Sequence, residues 1–69
     1  MTDDAVRTKV LEKLYPNKSM HIDDLRQAVD LDNAPESRAT IRRVVDRLVA
    51  DERVAVNTDT GGNVVTLRP

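Results

Sequence analysis

Apolar residues recur at helical spacing from the start of the chain. Val6, Val10 and Leu14 stand four apart and Leu11 joins their stripe, which is how a helix with one buried face is written. Asp3 and Asp4 lie in or before its first turn, where free backbone N–H groups favour negative charge. Pro16 closes the run, because proline disfavours helical backbone at the residue before it. The pattern predicts a first helix over 3–15. Lys18-Ser19-Met20 is a connector with room for one short strand. Ile22, Leu25, Ala28 and Val29 then mark a second, shorter helix over about 22–30. Asp23 and Asp24 sit in its first turn, and either His21 or Asp23 could cap it.

A polar break follows from Asp30 to Pro35, interrupted only by Leu31 and Ala34. Asn33 and Glu36 have the spacing of a capping box, and Pro35 is tolerated in a first helical turn. A third helix over about 34–51 carries the clearest periodicity in the chain. Ile41, Val44, Val45, Leu48 and Val49 form its apolar stripe. At about 100° per residue, Ala39, Arg42, Arg43 and Asp46 fall opposite, flanked by Arg38, Thr40 and Arg47. Beyond it the period changes from helical to alternating. Val54 and Val56 share one side, and Val65 and Leu67 share it after a turn at Asp59-Thr60-Gly61-Gly62. Centring the turn there pairs Val56 with Val65 and Val54 with Leu67, in a hairpin over about 53–68. A lone hairpin is barely stable in water, so this face should pack on the helices. The expected fold is α+β, with three helices followed by a two-stranded antiparallel hairpin, in one domain spanning 1–69.

Composition narrows the picture. The chain has 69 residues, no Cys, and Tyr15 as its one aromatic residue. Neither disulfides nor a thiolate metal site can supplement an aliphatic core, and a domain of this size is marginally stable. Nothing reads as a secretory signal or a membrane span, so a soluble, cytoplasmic protein is expected. The net charge is −1, but residues 1–36 carry −3 and residues 37–69 carry +2. The positive excess is local, as a binding face requires.

One stretch joins these features: Ser37-Arg-Ala-Thr-Ile-Arg-Arg-Val-Val-Asp-Arg-Leu-Val-Ala-Asp-Glu-Arg-Val54. Together with Ile22-Asp-Asp-Leu25 upstream and the helix order, it resembles the winged helix-turn-helix family, over nearly the whole chain from Asp3 to Arg68. In that family's pattern a small polar residue opens the recognition helix. A Thr-Ile or Thr-Val pair follows, then a Leu seven residues on, an acidic stretch and an aliphatic strand. Thr40-Ile41, Leu48, Asp51-Glu52 and Val54 match it. Two departures stand out. The family often has glycine where this chain has Glu52 or Arg53. The tip of the wing, 57–63, carries no Lys or Arg.

The resemblance implies sequence-specific binding to double-stranded DNA, in transcriptional regulation, through the third helix in the major groove. Arginine suits that task because its planar fork meets guanine or phosphate with two parallel bonds. Arg42 and Arg43 are the candidates for base edges. Ser37, Arg38 and Thr40 lie near the helix start, where phosphate is often held, and Arg47 lies at the groove edge. Asp46 could orient Arg42 or Arg43 or accept from a cytosine amino group, and Ala39 could meet a thymine methyl. Thr58, Thr60 and Asn63 are minor candidates on the wing. The alternative for the arginines is a solvated face, with Arg42–Asp46, Arg43–Asp46 and Arg47–Asp51 spaced for surface ion pairs. His21 with Asp23 and Asp24 is read as a solvent-exposed helix start rather than a metal site. No nucleophile–base arrangement is present, so no enzyme is expected, and no cofactor, metal or small-molecule ligand. The rival reading is a protein-interaction module of the same fold. A homodimer through the first helix, at Leu11 and Tyr15, stands beside a monomer.

Overall fold

The computed structural model describes residues 2–59 and 62–68. Helix α1 spans Asp3–Leu14, strand β1 Ser19–His21, helix α2 Ile22–Ala28, helix α3 Pro35–Ala50, strand β2 Val54–Asp59 and strand β3 Gly62–Leu67. This is a small α+β domain of three helices and a three-stranded antiparallel sheet, ordered β1-β3-β2. The expected sheet had two strands. The third is β1, which pairs Ser19 with Thr66, Met20 with Val65 and His21 with Val64. A hydroxyl–hydroxyl bond of 2.8 Å between Ser19 and Thr66 reinforces it. A strand of three residues is too short to display alternation; what makes it a strand is the open edge of β3 beside it. The hairpin itself has the register its sequence implies, with Val54 opposite Leu67 and Val56 opposite Val65.

The core draws on every helix. Val6, Val10 and Leu14 of α1, Leu25 and Val29 at α2, and Ile41, Val44, Val45 and Leu48 of α3 are buried with Val54 and Val65 of the sheet. Burying each such aliphatic side chain contributes about 1.5–3 kcal/mol against chain entropy. Two residues expected to be covered are not: Val49 is 40% exposed and Val56 37%. Val49 stands about 80° round α3 from Ile41 at helical spacing, at the margin of the stripe. Val56 lies on an edge strand, whereas its partner Val65 has Met20 on the other side.

The two C-terminal helix ends share one device. The N–H of Leu31 donates to Arg26 O and that of Asp30 to Gln27 O; Arg53 and Glu52 donate likewise to Leu48 O and Val49 O. This paired pattern needs a left-handed residue just past the helix. Asp30, at φ 64°, and Glu52, at φ 59°, supply it. The second helix therefore ends at Ala28, two residues short of the expected limit.

The entry to α3 also differs from expectation. Its N-cap is Ala34, with no side-chain cap bond, so the Asn33–Glu36 box does not form. Instead the Asp32 carboxylate accepts from Ala34 N–H at 3.0 Å and from the Ser37 hydroxyl at 2.6 Å. An aspartate two residues ahead of a turn's N–H closes a local ring that competes with a standard cap. These donors, the Ser37 hydroxyl foremost and then the Ala34 N–H, hold the Asp32 carboxyl below the usual range.

Arg26, on α2, is 6% exposed. Its Nη1 donates to the carbonyls of Leu31, at 3.1 Å, and Asp32, at 2.7 Å. One buried guanidinium thus pins the connector between α2 and α3, while its Nε has no partner. Helical periodicity gave Arg26 no special place, because its ligands are carbonyls of a segment without regular structure.

Candidate nucleic-acid interface

The neighbours of α3 divide its polar side into two parts. On one, α1 lies alongside. Arg43 donates from Nε to Asp3 Oδ2 at 2.8 Å and from Nη2 to Asp3 Oδ1 at 2.9 Å. This fork-to-carboxylate geometry is the most directional ion pair available to proteins. The Arg43 guanidinium holds the Asp3 carboxyl below its usual range, chiefly through the hydrogen bond, and Asp3 in turn raises the pKa of Arg43. Arg7 reaches Asp51 at the far end of α3 at 3.2 Å, and Lys9 reaches Asp30 beyond α2 at 3.6 Å. All three pairs are solvent-accessible and individually weak, but together they set α1 against both other helices. Asp46 and Arg47 share this α1 side, bordering a shallow groove with Asp3, Asp4, Arg7 and Arg43.

The other part faces the start of α2. Arg38, Ala39 and Arg42 line a second open groove with Ile22, Asp23 and Pro35. None of the within-helix ion pairs that the spacing allowed is formed: Arg43 takes Asp3, and Asp51 takes Arg7. Among the described residues Arg38, Arg42 and Arg47 have no ion-pair partner. Arg38 and Arg42, one helical turn apart, are therefore two free guanidinium groups beside a small residue, Ala39. Side chains of that kind flanking an exposed alanine allow close approach of a polyanion to the helix surface.

The remaining candidates are placed differently. The Ser37 hydroxyl donates to Asp32, and the Thr40 hydroxyl donates to Glu36 O at 2.8 Å. Both donors are engaged inside the protein, and the α3 N-terminus already faces the Asp32 carboxylate. On the β2–β3 hairpin, the Thr58 hydroxyl donates to Asn63 Oδ1 across the strands at 3.3 Å. Thr60 lies outside the described residues. His21, expected to be solvent-exposed, is half-buried as both the end of β1 and the N-cap of α2, and its Nδ1 is enclosed without a partner. Pairing of β1 with β3 brings it into the sheet, which its neighbours in sequence do not reveal.

Among the described residues no cluster of three or more His, Cys, Asp or Glu side chains is arranged to hold a metal ion. No helix among them is long and apolar enough to cross a membrane. At the end of α1, Tyr15 is 72% exposed and Leu11 is half-buried. Comparison with protein families and with curated protein sequences finds no match to this chain.

Proposed function

We propose that the domain is a winged helix-turn-helix that binds double-stranded DNA in a sequence-specific manner and acts in transcriptional regulation. In this reading α2 and α3 form the helix-turn-helix, α3 enters the major groove, and the β2–β3 hairpin supports it. The observation that carries the reading is the pair of unpaired arginines, Arg38 and Arg42, on either side of exposed Ala39 at the α2 end of the face. Free guanidinium groups one turn apart repel each other along a helix, and a phosphate backbone or a guanine edge reverses that cost. Arg42 is the leading base-edge residue and Arg38 its neighbour at phosphate. Arg43 contributes less than its position in sequence suggests, because Asp3 already neutralises it.

Duplex binding followed by fluorescence anisotropy across a salt series tests this. Each phosphate contact contributes a slope of about −0.9 to log K against log salt. Arg38→Ala with Arg42→Ala should lower affinity and flatten the salt slope. Asp3→Asn, which frees Arg43, should raise affinity. If the double variant binds duplex as tightly and with the same slope as the parent, α3 is not the reading helix. A second reading, a protein-interaction module of the same fold, draws on a specific feature: Asp3, Asp4 and Asp23 border the arginine face. Absence of salt-dependent duplex binding in the parent chain would favour it.

A further inference from the structure

The order β1-β3-β2 leaves one side of β2 without a neighbour over its six residues, whereas the open side of β1 is only three residues long. We propose that two copies of this chain associate through β2, pairing these edges antiparallel into one continuous sheet.

The backbone parity of β2 is known. Arg68 N–H donates to Arg53 O at 3.0 Å, so residues 53 and 68 form a hydrogen-bonded pair with β3. Bonded and non-bonded pairs alternate along an antiparallel ladder. Residues 55 and 57 therefore also turn their backbone groups toward β3, and Val54, Val56 and Thr58 turn theirs outward. No hydrogen bond among the described residues reaches those outward groups.

Edges of this kind are normally guarded by Lys, Pro or a bulge. Here Val54–Thr58 contains no charge and no proline, in a chain one-third charged, and its register with β3 runs unbroken. Val56, at the middle of the strand, is one of the few large apolar side chains left exposed.

The strand is also complementary to itself. With a two-fold axis at Val56, Val56 lies opposite Val56 and Val54 opposite Thr58, so every outward group meets another outward group. A shift of one residue would set outward groups against groups already bonded to β3. The same register brings position 53, an arginine, level with position 59, an aspartate, at both ends of the pairing. A shift of two residues loses that match. The arrangement is closed, because it uses the same patch on both copies and leaves only the short β1 edges free.

Sedimentation velocity of the full chain over a concentration series tests the proposal. The parent should shift from monomer to dimer, with no larger species. Val56→Lys should remain monomeric throughout, with an unchanged far-ultraviolet circular dichroism spectrum, since Val56 lies outside the core. Arg53→Asp should weaken association about tenfold, because two acidic positions then stand level at both ends of the pairing. Combining it with Asp59→Arg should restore parental association. A parent that stays monomeric to about 1 mM, a range that covers weak complexes, overturns the proposal. So does a Val56→Lys variant that dimerises as before, or a double variant that is no better than Arg53→Asp. If Tyr15→Ser rather than Val56→Lys abolishes the dimer, the contact lies on α1 and the proposal again fails.

Discussion

Glu52 sits at φ 59° in the turn that carries the chain from α3 into β2. In the left-handed region an L side chain crowds its own backbone carbonyl, at a cost of roughly 1–2 kcal/mol. Glycine avoids the clash but gains freedom in the unfolded chain, which returns about 0.5–1 kcal/mol of that advantage. The Glu52 side chain is exposed and has no ion-pair partner among the described residues, so little else is lost with it. Glu52→Gly should therefore stabilise the domain by about 0.5–1 kcal/mol. For a chain of this length that raises the melting midpoint by roughly 2–8 °C. Glu52→Asn should fall between parent and glycine, because asparagine tolerates this conformation. Glu52→Val should melt lower than the parent, because branching at Cβ aggravates the crowding. Asp30→Gly is the comparison: the same turn ends α2, but aspartate is already tolerated there and its ion pair with Lys9 is lost, so its gain should be smaller. Thermal unfolding followed by circular dichroism at fixed pH reads all four. A Glu52→Gly midpoint equal to or below the parent's is the contrary outcome. It would mean that the glutamate side chain stabilises the turn by at least as much as the backbone conformation costs.

Two further outcomes concern the core and the acid limit. Leu48 is fully buried in the last turn of α3, and Leu→Ala at such sites costs about 2–5 kcal/mol. Total stability expected at this length is only about 3–10 kcal/mol, so the urea midpoint of Leu48→Ala should fall by a large fraction of the parent's value, and a midpoint close to the parent's would contradict the burial of Leu48. Asp32 and Asp3 both have carboxyls held below their ordinary value of 3.8 in the folded chain. Their contribution is present above that pH and is lost as pH falls through their folded values. The melting midpoint should accordingly drop below about pH 4. Asp32→Asn should show a shallower acid limb, and one as steep as the parent's would place the cause elsewhere.

Much of the architecture was written locally. The stripes Val6-Val10-Leu14 and Ile41-Val44-Val45-Leu48 located two helices and their buried faces, because periodicity depends on nothing beyond the segment that carries it. The same holds for the hairpin register, since centring the turn on Asp59-Thr60-Gly61-Gly62 pairs Val56 with Val65 and Val54 with Leu67, and the period of two then puts all four on one side. Three features depended on how the elements meet. Strand β1 exists because β3 offers it an edge. Arg26 is buried because the connector after α2 folds back over its guanidinium. Arg43 is paired with a carboxylate forty positions earlier in the chain, because α1 packs alongside α3 and brings Asp3 to it. That last contact matters most for the face of α3. The sequence alone determined which side of this helix is polar and that arginines crowd it. Which of them remain free depends on how α1 packs against α3, because a salt bridge between distant segments is a property of interhelical geometry, and no local spacing encodes it.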